Sequence, residues 1–464
     1  MKRRIFGIET EYGITCASLT GSLPPLDAEQ AAAELFASML AHVKSTNAYI
    51  ENGARTYLDV GAHPEYATAE CDNLEDLIAN ERAGDAIFAR MALEANERLR
   101  AKGIPGQIHL FKNNLDSQGN SFGSHENYLI HRSRDYRRSI ETLVPFFVTR
   151  QLLVGAGYLH RNSEETRFEI SPRAWQMWDA VSSASTRARP MINTRDEPHG
   201  DPDRFRRMHV IVGDSTMSQT ATALRVGMTC AVLDVLEDGG DLPDLTLRDP
   251  VVAIRETSKD LTGGALLELE DGRWMTALEV QQAFYEAVMD HYAREGWGDS
   301  LLPIESKVFE YWKQILEGFV SGNRESLSTI VDWVAKLALI EAYQARSGAS
   351  LSDPRVARLD LAWHDVTQSG LRTRLETSGA LETLVSEDAI EQAMQVAPQT
   401  TRARLRGEFI RQARAHRRDF MADWMNLRLL ADSGSQSVLL SDPFASSDPR
   451  VDELLMTIAQ KAAN

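Results

Sequence analysis

Two short stretches near the amino terminus each set a charged or hydrogen-bonding side chain at every second residue, and a chain with that pattern must build a sheet with one polar face. Side chains at i, i+2 and i+4 of a strand share a face. In Gly7-Ile8-Glu9-Thr10-Glu11-Tyr12-Gly13, Glu9 and Glu11 therefore lie side by side, with Ile8, Thr10 and Tyr12 opposite. In 55–60, Arg55, Tyr57 and Asp59 share one face and Thr56, Leu58 and Val60 the other. Such a face either meets water, as one side of many antiparallel sheets does, or serves a ligand. The following segment, GAHPEYATAECD at 61–72, adds further carboxylates and a histidine. Carboxylates gathered this closely repel one another unless a cation neutralises them. Hard oxygen donors suit Mg²⁺, which keeps several waters and is completed by substrate phosphates. The pattern predicts a sheet face that carries magnesium and a nucleotide.

The rest of the chain reads as mixed α and β. Residues 5–15 form a strand, 27–44 a helix that starts at Asp27, 55–60 a second strand, 74–101 a long helix closed by Gly103, and 107–112 a further strand. Helices are expected at 139–154, 216–238, 277–295, 304–320 and 325–346, and Asp271-Gly272 marks a hairpin turn. Between about 370 and 400 the apolar period fades, and Pro398 precedes an Arg-rich helix at about 400–418. The expected division is a large domain over 1–396 and a small one over 397–464. Two domains also suit 464 residues, because single cores rarely grow past roughly 250–300 residues.

Charge and motifs narrow the function. The 50 Lys and Arg against 67 Asp and Glu leave a net charge of −17, a field that repels nucleic acid and anionic membranes. Cys16, Cys71 and Cys230 are too few and too scattered for a disulfide framework or a structural zinc site, which fits a reducing cytoplasm. Glu9 interrupts the apolar start before a signal peptide could be complete, and no run of some 18 apolar residues follows, so neither export nor a membrane span is expected. No phosphate-binding G-x-x-x-x-G-K-[ST] loop occurs, and Gly155-Ala156-Gly157 lacks the third glycine of a dinucleotide fingerprint. Gly119-Asn120-Ser121-Phe122-Gly123 matches the G-x-S-x-G nucleophile elbow in form only. The preceding KNNLDSQ is polar, where an elbow needs a buried apolar strand. That stretch reads instead as a turn leading into a strand that presents His125 and Asn127 on one face.

NGARTYLDVGAHPEYATAECDN at 52–73, taken with RRIFGIETEYG at 3–13, resembles the Pup-ligase family (proteasome accessory factor A), which shares fold and ancestry with glutamine synthetase and glutamate–cysteine ligase. The resemblance continues through FKNNLDSQGNSFGSHENYLI at 111–130, VSSASTRARPMINTRDEPH at 181–199, HVIVGDSTMS at 209–218, DLAWHDV at 360–366 and PQTTRARLRGEFI at 398–410, and so spans nearly the whole chain. It implies an α+β fold, with a large glutamine-synthetase-like domain built on a curved, mostly antiparallel sheet flanked by helices and a small C-terminal α/β domain. It implies ATP and Mg²⁺ as cofactors. The partners it implies are Pup, a disordered protein modifier, and target proteins bearing lysines. The family's magnesium ligands fall on Glu9, Tyr57 and Glu65, its ATP contacts on Arg55, Thr68 and Trp424, and its catalytic base on Asp59. Glu11, His125, His209, Arg195 and Arg402 are further candidates for phosphate or metal contacts, each equally able to serve in a structural ion pair.

The resemblance also implies a chemistry. The side-chain carboxylate of Pup's C-terminal glutamate is activated as an acyl phosphate and then attacked by a lysine amine, giving an isopeptide bond. Near pH 7 a neutral lysine amine costs about 4–5 kcal/mol to reach, from a pKa of about 10.4, so a base beside the amine is needed. A sister enzyme of the same fold deamidates Pup and removes it from targets, and this activity is the alternative. It is expected to carry an extra loop in the connection between Gly13 and Arg55, which here is only about 40 residues long. Pup is acidic in the family picture, so a basic groove must stand against the global charge. Arg187, Arg189, Arg195, Arg204, Arg206 and Arg207 form the densest basic stretch and are the candidate for it, beside the plainer reading of a solvated arginine cluster.

Overall fold

The opening strand ends at Glu11 instead of running to 15, and Tyr12 is the reason. Its amide donates to the Pro64 carbonyl at 2.8 Å and its hydroxyl to Asp85 at 2.7 Å, which pins the ring in the interior. Phe6–Glu11 and Gly13–Ser18 therefore join different sheets, the second pairing with Gly106–Phe111. The structure is a computed structural model; it describes all residues except 22, 44, 60, 117, 135, 163–164, 185–188, 368–369, 431–433 and 461–464, and the side chains of 42 and 43.

Among the described residues, eight strands form the main sheet in the order Asp179–Ser182, Pro190–Asn193, Phe205–Val210, Ser124–His131, Phe6–Glu11, His63–Ala67, Arg55–Asp59, Asn47–Tyr49. Every neighbouring pair is antiparallel except the first. Strand alternation gives the sheet two characters. Phe6, Ile8, Tyr128, Ile130, Met208 and Val210 point to one side and pack on helices in the largest apolar cluster. Glu9, Glu65, Tyr57, His125, Asn127 and His209 occupy the other side.

Local signals account for most helix boundaries. Asn73 caps Leu74–Ala101, Ser218 caps Gln219–Glu237, and Thr276 with Glu279 forms a capping box on Ala277–Glu295, which ends at left-handed Gly296. Tyr136–Val154 and Pro303–Val320 complete the apolar layer. The hairpin expected at Asp271-Gly272 joins Leu266–Glu268 to Trp274–Thr276, with Gly272 at φ 86°. The single helix expected over 325–346 is a correction. A 3₁₀ turn, Arg324–Leu327, is followed by extended Val331 and then Asp332–Ser347. Tertiary hydrogen bonds impose the break: buried Asp332 accepts the Met217 amide at 2.5 Å and the Ser218 amide at 3.1 Å, and Thr220 Oγ1 donates to the Ile330 carbonyl at 2.9 Å.

Toward the carboxyl end, Ala403–Ala415 and Pro449–Gln460 cover a three-stranded antiparallel sheet of Phe420–Ala422, Asn426–Leu429 and Gln436–Leu439. Phe409, Ile410, Leu427, Val451 and Ile458 form an apolar cluster of their own there. No helix among the described residues is long and apolar enough to cross a membrane.

Candidate functional site

The polar face of the main sheet forms one wall of a cleft of about 1330 Å³, lined by Glu9, Arg55, Arg207 and His209 on the sheet and by Trp424 and Arg418 from the C-terminal element. A smaller cavity of about 90 Å³ adjoins it, lined by Gly7, Thr68, Leu129, Pro198, His199 and Trp424. Glu9, His199, Arg207 and Trp424 line both, so a ligand can pass a flat apolar end inward and a charged end along the sheet.

Strand register places the charged residues. Glu11 pairs with Glu65, Tyr57 also pairs with Glu65, and Glu9 sits opposite His125 and Ala67. Glu9 is held by its neighbours: His125 Nδ1 donates to Oε2 at 3.2 Å and Asn127 Nδ2 to Oε1 at 3.1 Å, while Arg207 bonds Asn127 Oδ1 at 2.7 Å. Burial raises the affinity of the Glu9 carboxyl for a proton, but the hydrogen bond from His125 and the charges of His209, His125 and Arg207 outweigh it and hold the group well below the usual range. Glu65 goes the other way. Burial and the charges of Glu9 and Glu11 push it well above that range, although the Tyr57 hydroxyl donates to it. Ligand atoms of Glu11, Asp59 and Glu65 lie within 4.8 Å of one another, as do those of Glu9, His125 and His209.

The donor set fits magnesium. Glu9, Glu65 and the Tyr57 phenol offer hard oxygens on one face, and the raised Glu65 marks negative charge that lacks a counter-ion. Tyr57 keeps its proton, because burial and the charges of Glu9 and Glu65 raise it, and so it offers a neutral oxygen. Burial pushes His209 down to about 3 despite the attraction of Glu9. Its Nε2 is buried 3.7 Å from Glu9 Oε2 without a hydrogen-bond partner among the described residues, free to meet a metal-bound water or a phosphate oxygen.

The nucleotide candidates converge as well. Arg55 Nε donates to Asn47 at 2.8 Å and its guanidinium lies 4.1 Å over the Tyr57 ring, at the rim of the cleft. Thr68 Oγ1 accepts the Ile8 amide at 3.0 Å in the small cavity, and a Cβ at Gly7 would stand 3.0 Å from that oxygen. Trp424 sits at a hairpin tip held by Asp423, whose Oδ1 accepts the Met425 and Asn426 amides at 2.8 and 2.7 Å. Its ring meets Tyr49 edge-on at 5.1 Å and carries the Arg406 guanidinium at 4.9 Å.

Other candidates are placed differently. Arg402 is buried and fully engaged: it bonds Glu70 and the carbonyls of Leu440 and His199. With Arg406, which also bonds Glu70, it ties the C-terminal element to the sheet. Arg195 is exposed and lies 3.5 Å from Glu197. The arginine stretch is divided. Arg206 and Arg207, adjacent on one strand, face opposite sides of the sheet: Arg206 lies over Tyr136 and pairs with Asp196, whereas Arg207 lines the cleft. Arg204 is exposed over Phe205, Arg189 bonds Gln176, and Arg187 lies outside the described residues. Sequence reasoning passed over His199 and Arg418, whose places in the cleft depend on loops and on the C-terminal element, with no periodic signal to reveal them.

A family model described as Pup-ligase protein matches residues 4–428. A Pup–protein ligase of Xylanimonas cellulosilytica is 48% identical over 457 residues, covering 98% of this chain and 99% of that protein. One from Sanguibacter keddieii is 47% identical over 454 residues, covering 98% and 99%. The structure of the complex between the prokaryotic ubiquitin-like protein Pup and its ligase PafA matches with a TM-score of 0.93 at 41% identity, covering 99% of this chain and 92% of that one. The structure of the Pup ligase PafA in complex with ADP matches with a TM-score of 0.85 at 41% identity, covering 93% and 94%.

Proposed function

The chain belongs to the Pup-ligase family, and from that premise we propose that it uses ATP to join the side-chain carboxylate of Pup's C-terminal glutamate to lysine amines of target proteins. The observation that carries this reading is the arrangement of the polar sheet face, where Arg55, Tyr57 and Asp59 share one strand, Tyr57 and Glu11 both pair with Glu65, and Arg55 and Glu9 on the same face line a nucleotide-sized cleft. The cleft takes the adenine toward Thr68 and Trp424 and leaves the phosphates along Glu9, Arg55 and Arg207. Arg55 and Arg207 offset phosphate charge, and His209 is neutral and so can donate one hydrogen bond to a phosphate oxygen or accept one from a water there. Glu9, Tyr57 and Glu65 would hold magnesium, which would neutralise the charge that builds on the transferring phosphoryl group.

Asp59 is the base. It sits among Glu11 and Glu65, so its surroundings are strongly negative and attract the lysine ammonium before they accept its proton. The glutamate carboxylate first takes the γ-phosphoryl group of ATP and ADP is released; the amine freed of its proton then attacks the glutamyl phosphate, forming the C–N bond as phosphate departs and the nitrogen loses its second proton to solvent. Residues 397–464 act as a small separate domain that closes the nucleotide end of the cleft. The cytoplasm is the assigned compartment, in keeping with three buried, unpaired cysteines and the need for ATP.

Incubation with Pup, ATP, magnesium and a lysine-bearing protein, followed by intact-mass measurement, tests this reading. A product equal to target plus Pup minus one water is expected. No conjugate, with release of ammonia from glutamine-ended Pup, would assign the chain to deamidation instead.

A further inference from the structure

On the helical side of the molecule, with none of its residues lining either cavity described above, a second set of ligating side chains comes together. Gln219–Glu237 ends at its cap residue Asp238, and Ala277–Glu295 ends at Glu295. Two helices thus bring the negative ends of their dipoles to one place, where a cation is favoured. His291 and Glu295 stand one turn apart on the same helix face. One ligand atom from each of Asp238, His291 and Glu295 lies within 4.8 Å of the others.

His291 supplies an independent sign of a ligand. The residue is 2% exposed; Nδ1 has no hydrogen-bond partner among the described residues, and Nε2 has only an ion-pair contact with Asp238 that falls short of hydrogen-bond geometry. A buried imidazole left in that state is costly, and native folds seldom tolerate it without a reason. Its orientation is set from both sides. A Cβ at Gly240 would come within 2.6 Å of Nδ1, so the loop covers that edge. Nε2 faces the carboxylates, 3.3 Å from Asp238 Oδ2. Lys2 Nζ donates to the other oxygen, Oδ1, at 2.7 Å, which leaves Oδ2 on the histidine side.

We propose that Asp238, His291 and Glu295 form a binding site for a borderline divalent transition-metal ion of the zinc class, separate from the nucleotide cleft. One imidazole nitrogen and two carboxylates are ligands of the kinds such an ion takes, and a water completes a tetrahedron. The nitrogen donor selects against magnesium, which favours an all-oxygen shell. An ion here pins the ends of two core helices and the Lys2 contact to one another.

The test uses the full-length protein stripped of metal and then saturated with Mg²⁺ and ADP, so that the cleft is filled. Zn²⁺ is titrated by calorimetry into the wild type and into Glu295→Gln and Asp238→Asn, two substitutions at exposed positions that leave the core intact. The expected result is one zinc equivalent present in the wild type and lost, or weakened at least about tenfold, in both variants. In parallel, zinc should raise the unfolding temperature of the wild type more than that of either variant. Equal stoichiometry and affinity in all three proteins would overturn the assignment.

Discussion

Glu126 behind the main sheet and Glu65 in front of it carry charge in opposite ways. Behind the sheet, Glu126 accepts Arg150 Nη2 at 2.6 Å and Nη1 at 2.8 Å together with the Tyr128 hydroxyl at 2.6 Å, and Arg225 stands 3.8 Å away. Burial pushes the Glu126 carboxyl up, but Arg150 more than offsets this and holds it below its ordinary value. In front, burial together with the charges of Glu9, Glu11 and Asp59 pushes the Glu65 carboxyl well above its ordinary value. Charges that a fold uses for its own cohesion are matched inside it, whereas charges left in excess on a concave face mark where a ligand brings the missing sign.

The largest test of that contrast is kinetic. Asp59→Asn should lower the ligation rate by about 10²- to 10⁴-fold, the usual contribution of a positioned base, while ADP still binds. Ligation at the wild-type rate would remove Asp59 from the chemistry. The next test compares stability on the two faces. Glu126→Gln strands Arg150 in the interior and should lower stability by about 3–5 kcal/mol in urea unfolding. Glu65→Gln, measured in magnesium-free buffer, should leave stability unchanged or raise it, because it relieves repulsion. Destabilisation of similar size by both would erase the distinction between the faces.

The polar face was legible in the sequence because strand alternation is local: the parity of Glu9 with Glu11, and of Arg55 with Tyr57 and Asp59, needs no knowledge of the partners. Helix starts were legible where a capping side chain announces them, as at Asn73 and Thr276. The misses are long-range. Nothing near Tyr12 signals that Asp85 and Pro64 will break the first strand, and nothing near 325–331 signals that Asp332 will be drawn to the amides of Met217 and Ser218. The same holds for the arginines. A dense run in sequence suggested one basic surface, but alternation sends Arg206 and Arg207 to opposite sides, a consequence the strand rule contained once Phe205–Val210 was known to be a strand. Trp424 had no local mark of its place on the cleft wall; that place depends on Arg406, which bonds the Trp424 carbonyl, and on Glu70, which lies far away in sequence.

Glu70 joins the two regions and gives a pH test. Burial raises its carboxyl, but Arg406 and Arg402 together bring it down to about 2. A carboxyl lowered on folding adds stability that is fully present above its unfolded value and is lost as pH falls through the folded value. The window therefore runs from about 4.5 down to about 2. About 3 kcal/mol is at stake, from roughly 2.5 units at 1.36 kcal/mol each. Unfolding of the wild type and of Glu70→Gln should show a gap near pH 6 that closes on acidification. A gap that stays constant with pH would mean that the ion pairs contribute little.

The smallest effect concerns Trp424. Its ring is fixed by Tyr49, by Arg406 and by the Asp423 turn, and so it presents a flat apolar surface to the small cavity without further ordering. An aromatic contact of this kind contributes about 0.5–1.5 kcal/mol, so Trp424→Ala should weaken ADP binding by roughly two- to tenfold in calorimetry, and Trp424→Phe by less. The sheet face, with its charges intact, should keep ligation at saturating ATP close to wild type. If the Ala variant binds ADP as tightly as the wild type, the nucleotide is held by the sheet alone. Glu70→Gln then discriminates further: loosening the ion pairs that seat Arg406 should displace Trp424 and weaken ADP in the same direction, by an amount no larger than removal of the ring itself.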